Sequence, residues 1–285
     1  MSQMENDYHV HITARPNAFH LGLRELWAYR DLVWLFTQRN FMLIYKQTVL
    51  GPLWLVIRPI VTSVIYTIIF GGIAGLDTAG VPKILFYLSS HALWSFFAGC
   101  LNSNASVFIS NASVFRKVYF PRLTVSASAV LSGAIQFFIQ IALVVALMIG
   151  YRLQGQAVHP RWAYLPLLIP VLFVTGMMGL GLGILVSSVT TKYRDLSFLV
   201  GFGLQLWMYI SPVVYPVSQL PLSGLYRFIL YNPMTAPMEL FRLALLGTGT
   251  VTAVSVISSL VFSALAVVGG VLVFNKVERT FVDTV

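Results

Sequence analysis

Tyr45-Lys46-Gln47-Thr48-Val49-Leu50-Gly51-Pro52-Leu53-Trp54 joins a charged amphipathic stretch to a long apolar run through a Gly-Pro break, and this junction marks where the chain meets a membrane. Just beyond it, Arg58 and Pro59 set a cation and a helix breaker inside the first apolar run. A charge at that depth is costly unless it faces protein or water, and an interior proline removes a helical hydrogen bond. A cost of that kind points to a task.

The composition places the rest of the chain in the same environment. Its 285 residues are 58% hydrophobic and only 9% charged, with a mean hydropathy of +0.81, against roughly 25% charged residues in ordinary soluble domains. The expected fold class is an all-α integral membrane protein. The net charge of +9 does not indicate nucleic acid, because the basic residues are scattered among apolar runs rather than gathered on a soluble face. The one cysteine, Cys100, lies in an apolar run, which excludes an intramolecular disulfide and reads as a small buried hydrophobe. A mostly polar and amphipathic stretch precedes the first apolar run, which argues against a cleavable signal peptide.

Spanning a bilayer takes about 20 apolar residues. About six runs qualify, near 53–74, 84–109, 125–149, 163–188, 197–215 and 252–274. An even number puts both termini on one side. On that topology 13 of the 18 Lys and Arg residues fall on the side of the termini, which the positive-inside rule makes the cytoplasm. His91, Asn102, Asn104 and Ser106 interrupt the second run and require protein or aqueous neighbours.

Residues 21–38 read as an amphipathic helix along the cytoplasmic interface, with Leu23, Leu26, Trp27 and Trp34 against Arg24, Glu25, Asp31 and Gln38. The chain then divides into a cytoplasmic tail with interface helix, 1–51, and a transmembrane domain, 52–285. Residues 216–250 hold Pro216, Pro221, Pro233 and Pro237 amid hydrophobic residues. That stretch is too broken to span and too apolar for a free loop, and short re-entrant or interfacial helices on the outer face fit it. No repeat of 20 to 50 residues stands out.

Catalytic signatures are missing. There is no Gly-x-x-x-x-Gly-Lys-Ser/Thr loop, no His-Glu-x-x-His and no Gly-x-Ser-x-Gly. Gly179 and Gly183, four apart in an apolar run, read as a close helix-packing contact. The nine carboxylates avoid the centres of the runs, which argues against an ion-coupled carrier. The chain is therefore not expected to be an enzyme, and its energy is expected from a partner. His9, His11 and His20 read as solvated tail residues, and His91 as a hydrogen-bonded interior residue.

Three landmarks carry further information. The first is Tyr45 to Trp54. The second is Asn111-Ala112-Ser113-Val114-Phe115-Arg116-Lys117-Val118-Tyr119-Phe120-Pro121-Arg122, a short basic and aromatic helix ended near Pro121. Its exposed Phe115, Tyr119 and Phe120 suit either the membrane interface or a groove on a cytoplasmic subunit. The third pairs Lys192-Tyr193-Arg194-Asp195-Leu196 with Ser211-Pro212-Val213-Val214-Tyr215-Pro216, charges at one end of a helix and prolines at the other.

In order, spacing and topology these landmarks, with the ending Phe274-Asn275-Lys276-Val277-Glu278-Arg279-Thr280-Phe281-Val282-Asp283, resemble the membrane subunit of type-2 ATP-binding-cassette exporters of lipid-linked polysaccharide, the family serving O-antigen, capsule and teichoic-acid export. The likeness runs from about residue 30 to the C-terminus. Two positions depart from the family pattern: Arg39 is followed by Asn40 where an acidic residue is frequent, and Arg58 stands where many members carry Gln.

The resemblance implies a homodimer of permeases in the bacterial inner membrane, bound to two cytoplasmic ATPase subunits. ATP and magnesium belong to those subunits, with no cofactor in this chain. It implies a coupling helix at 111–122, with Phe115, Arg116, Lys117, Tyr119, Phe120 and Arg122 as its contacts. It implies channel walls from spans one and five, outer gate helices around 216–240 with Tyr215, Pro216, Phe228 and Tyr231, and a long glycan on undecaprenyl diphosphate as substrate.

The residues themselves supply a reason for such walls. A sliding glycan presents hydroxyls and patches of C–H, which flat aromatic faces and weak hydrogen-bonding groups suit better than charged hooks. Phe198, Phe202, Gln205 and Tyr209 share one helical face, as do Arg58, Thr62 and Tyr66. Packing or an interfacial aromatic belt is the competing reading of those faces. Near the cytoplasmic end of its span, Arg58 suits bidentate contact with a diphosphate, or snorkelling to the headgroups. Competing functions are a type-2 exporter of teichoic acid, capsule, drug or small lipid, and a membrane-embedded glycosyl or acyl transferase. The scarcity of paired carboxylates counts against the transferase.

Overall fold

The computed structural model describes residues 23–46, 48–115, 120–156, 158, 160–190, 195–221 and 224–283, and among them every regular element is helical. Two helices, α1 (Leu23–Ala28) and α2 (Arg30–Tyr45), precede a tight turn at Gly51–Leu53 that opens α3 (Trp54–Tyr66). Gly51 takes a left-handed φ of 51° and Pro52 occupies the first turn, so the Gly-Pro break is a helix start, where proline's missing N–H costs nothing. A wider π-helical turn, Thr67–Ile73, completes this first apolar segment.

Five helical segments are long and apolar enough to cross a membrane: Gly51–Ile73, α4 (Lys83–Ala105), α7 (Leu123–Leu153), the segment Trp162–Thr190 that contains α8 (Leu168–Thr190), and Ala253–Phe274 within α12 (Ala253–Asp283). The fifth expected run is shorter than the sequence implies. Its helix, α9 (Leu196–Ile210), has 15 residues, about 22 Å at 1.5 Å per residue, against a hydrocarbon core of about 30 Å. It stops because a residue preceding proline is steered out of the helical region. Ser211, before Pro212, is extended at φ −83°, ψ 151°, and residues 211–214 fold back into a buried turn. The short helices α5 (Val107–Ser110) and α6 (Ala112–Phe115) sit at one end of the bundle, and α10 (Gly224–Tyr231) and α11 (Thr235–Leu246) at the other.

The centre is α4, in which every residue from Leu85 to Ser90 is buried. It packs on α8 through glycines. A Cβ added at Gly179 would lie 2.7 Å from Cys100 Cβ, and one at Gly183 2.6 Å from Leu101 O. The expected small-residue contact is therefore present, and α8 repeats it on a second face. There a Cβ at Gly181 would come within 2.5 Å of the Ala266 carbonyl, and one at Gly270 within 2.7 Å of Gly181 O. Helices in lipid gain no hydrophobic drive from associating, so close backbone approach carries the packing. Hydroxyls tie the same contacts: Thr190 Oγ1 donates to Ala105 O at 2.9 Å and Ser263 Oγ to Val174 O at 3.3 Å.

Outward faces are apolar, with Ile65, Ile68, Phe138, Ile149, Phe173, Ile257 and Leu265 exposed. That surface suits lipid and not water. In α2 the residues turned to the bundle are Val33, Phe36 and Thr37, whereas Trp34 and, in α1, Trp27 face outward. Thr37 and Asn40 meet α7 at Ser128 and Ser132, with Ser132 Oγ donating to Thr37 O at 3.3 Å.

Valine at Gly181 must push the α12 backbone away, an overpacking cost of about 1–3 kcal/mol. Gly181→Val is expected to lower the thermal midpoint of the detergent-solubilised protein by roughly 5 °C. Gly201→Ala, at a site with nothing within 4 Å of the added methyl, is expected to leave it in place.

Candidate functional site

α9 is held by one face. Leu204 and Met208 are buried. Trp207 meets Phe97 with ring centroids 5.2 Å apart, Trp94 at 6.3 Å and Phe262 at 6.1 Å, and its Nε1 donates to Asn232 Oδ1 at 3.2 Å. Facing away are Phe198, Phe202 and Tyr209, 81%, 60% and 44% exposed, together with exposed Gln205. The four side chains form one continuous ridge along the helix.

α3 approaches α9 near the C-terminal ends of both helices. Pro59 and Ser63 point inward, and Ser63 Oγ donates to Pro59 O at 2.7 Å. Arg58 is exposed, its guanidinium carbon 5.6 Å from the Trp54 ring centroid, while Thr62 and Tyr66 are half-buried. The two helices meet at one level. Tyr66 Oη donates to Met208 Sδ at 3.3 Å, and Phe70 lies 6.4 Å from Tyr209, centroid to centroid. Tyr66 also packs edge-on against Tyr87 and His91 of α4. Tyr66 and Tyr209 thus come together, whereas Arg58 and Phe198 lie toward the opposite ends of those helices.

At the α5–α6 end, the expectation of outward aromatics needs correction. Phe120 is buried and Phe115 half-buried. They pack together at 5.8 Å, Phe120 against Phe36 at 5.5 Å and Phe115 against Phe108 at 6.3 Å, while Phe108 meets Phe274 at 5.1 Å. Arg122 lies over Phe115 at 5.5 Å. These aromatics prefer a ready apolar pocket to water, so they anchor the segment to the bundle. Arg116, Lys117 and Tyr119 lie outside the described residues, as do Lys192, Tyr193, Arg194 and the three tail histidines.

At the other end, Tyr215 is half-buried, donating through Oη to Ile210 O at 2.8 Å, and Pro216 is buried. Phe228 and Tyr231 of α10 are exposed. The segment 216–250, expected as short re-entrant or interfacial helices, holds a feature that sequence reasoning missed, the pair Glu239 and Arg242. Both are 1% exposed and form an ion pair of 3.1 Å along α11. Glu239 accepts from Val217 N at 3.3 Å and Thr250 N at 2.7 Å, and Arg242 Nη1 donates to Tyr215 O at 3.3 Å. The guanidinium sits 4.5 Å over the Phe86 ring. Burial pushes its pKa below the ordinary value, and Glu239 opposes that shift. Gly247 at φ 75° and Gly249, where a Cβ would strike Glu239 O, bring the chain back so that Thr250 reaches the carboxylate. The signal in the sequence was Glu-x-x-Arg at helical spacing in an otherwise apolar, proline-bounded segment. Among the described residues no cluster of three or more His, Cys, Asp or Glu could hold a metal.

A family profile described as ABC-2 type transporter matches residues 31–246. The chain belongs to the ABC-2 type transporter family. This ABC-2 permease is 28% identical over 258 residues to an O-antigen export system permease protein of Klebsiella pneumoniae, covering 89% of this chain and 94% of the relative. A second Klebsiella pneumoniae protein of the same description is 25% identical over 255 residues, with the same coverage of both chains. One from Myxococcus xanthus is 26% identical over 222 residues, covering 77% and 82%. The matched range runs from the start of α2 to the end of α11, so it includes the exposed α9 ridge and the buried Glu239–Arg242 pair.

Removing one partner of a buried pair strands the other charge, at about 3–5 kcal/mol. Glu239→Gln and Arg242→Met are each expected to lower the thermal midpoint sharply, and the double substitution to recover much of the loss. A double-mutant cycle on the solubilised permease reads the coupling.

Proposed function

We propose that this ABC-2 permease is the membrane subunit of an ATP-driven exporter of O-antigen carried on undecaprenyl diphosphate. It works as a homodimer in the bacterial inner membrane, with both termini and the 1–51 segment cytoplasmic. Two ATPase subunits bind ATP and magnesium and supply the energy, and this chain catalyses nothing itself. The family match and the named functions of its relatives support the class of transporter. The observation that carries the substrate reading is the α9 ridge, three aromatic rings and an amide exposed along one helix.

In this reading the ridge from each of two copies, with Arg58, Thr62 and Tyr66 of α3, lines a polymer-wide path. The rings offer flat area to sugar C–H faces with few rotors to freeze, and Gln205, Thr62 and the tyrosine hydroxyls exchange weak hydrogen bonds as the chain slides. Arg58 meets the diphosphate where the lipid head enters, its planar fork matching two phosphate oxygens. The segment 111–122 is the coupling helix. Phe115 and Phe120 fasten it to α2, α5 and α12, so force from the ATPase on Arg116, Lys117, Tyr119 and Arg122 reaches the bundle. Tyr215, Pro216, Phe228 and Tyr231 form the outer gate, with the Glu239–Arg242 pair as its fixed base.

Phe198→Ala with Phe202→Ala is expected to cut surface polymer at least fivefold in a deletion strain complemented with the variant, at unchanged permease abundance and ATPase co-purification. Full export by that variant contradicts the wall assignment. Arg58→Ala is expected to weaken binding of the lipid-linked glycan by the purified transporter about tenfold, and undiminished binding removes the headgroup role.

A further inference from the structure

A cavity of about 490 Å³ lies away from the α3–α9 ridge, between α2, α4, α5 and α7. Its lining is unlike the rest of the outer surface. Along α4 and α5 run Ser95, Gly99, Ser103, Ser106 and Ser110, and along α7 Ser132, Gln136 and Gln140. Gly99, Ser103, Ser106 and Ser110 are exposed. From Ser95 to the end of α4 is ten residues, about 15 Å at 1.5 Å per residue, or half of a hydrocarbon core. Polar groups at that depth must be met by protein, water or a polar ligand, because hydrocarbon leaves them unpaired. Ser95 Oγ is met by Gln140 Oε1 at 3.1 Å. Ser103 and Gln136 remain directed to the groove.

Among the described residues Arg39 is the one ionisable side chain of the lining. Its Nη2 donates to Asn111 Oδ1 at 2.9 Å and Asn40 Oδ1 at 3.2 Å, both neutral acceptors. Its guanidinium carbon lies 4.8 Å over the Phe36 ring, and its Nε is shielded from solvent with no acceptor. A guanidinium held by amide oxygens and a ring keeps its full positive charge in a partly desolvated place, where an anion is bound more strongly than in water.

We propose that this groove binds the head of an anionic phospholipid, a phosphodiester bearing free hydroxyls. Arg39 takes the phosphate, and Ser103, Gln136 and Gln140 take the hydroxyls. Among the described residues the lining offers one guanidinium, which matches the single negative charge of a phosphodiester. The open side lets the acyl chains stay in the bilayer. The site is separate from Arg58 and the α9 ridge and does not rest on the polymer-export reading.

The test is native mass spectrometry of the full-length permease with its ATPase subunits, released from nanodiscs of phosphatidylcholine containing phosphatidylglycerol. The transporter is expected to retain phosphatidylglycerol about tenfold over its share of the bilayer. Arg39→Gln is expected to abolish that preference, and so is Asn40→Asp, which sets a competing carboxylate on Arg39 without removing the cation. Arg30→Gln, an exposed cation on the same helix, is expected to leave it unchanged, and matching thermal midpoints establish that the variants are folded. No preference in the unaltered protein overturns the proposal, as does a preference that survives both Arg39→Gln and Asn40→Asp. Displacement of phosphatidylglycerol by equimolar undecaprenyl diphosphate overturns it in favour of the transported lipid.

Discussion

Missing side chains at Gly179, Gly181, Gly183 and Gly270 hold this molecule together. Because nothing projects there, the α8 backbone lies against α4 on one face and against α12 on another, at distances any Cβ would forbid. Lipid gives helices no hydrophobic reason to associate, so such approach is the main source of adhesion. Its consequence reaches the candidate site. α4, fixed by α8, presents Trp94 and Phe97 as the seat for Trp207. Seated there, α9 has one orientation, and Phe198, Phe202, Gln205 and Tyr209 are left facing away from the bundle.

The same accounting governs the polar residues. Two breaks of the chain near α9 and α11 have polar partners. Ser211, extended ahead of Pro212, accepts through its Oγ from Asn232 Nδ2 at 3.1 Å. The turn 215–217 is pinned by Arg242 and Glu239, whose charges are tolerable at 1% exposure because each is bonded to the other and to the backbone. Beside Arg39, by contrast, Ser103 and Gln136 line an open groove rather than a packed contact.

Much of this was legible in the sequence, and the reasons are physical. Long apolar runs cannot be mistaken, and Gly179 with Gly183 announced a close contact because four residues return to one helix face. Gly181 and Gly270 did not, since their pairing joins helices far apart in the chain. Apolar character continues through Val213 and Val214, so the sequence implies a longer run than α9, whereas the backbone obeys Pro212. An aromatic beside arginines looks interfacial, so Phe115 and Phe120 read as outward, whereas Phe36 and Phe274, remote in sequence, join the nearby Phe108 in building their pocket. The burial of Glu239 and Arg242 is not legible in their own segment because it is decided by α4 and α8 packed around it. The α9 ridge was visible from spacing alone, but that its face is left uncovered follows only from the opposite face being occupied.

The account turns on what covers that ridge. Electron cryomicroscopy of the transporter trapped with polymer engaged tests it most directly. The account predicts two copies of this chain facing each other across a path, with glycan density against Phe198, Phe202 and Tyr209 of both. Acyl-chain density on that ridge, with the polymer elsewhere, would contradict it.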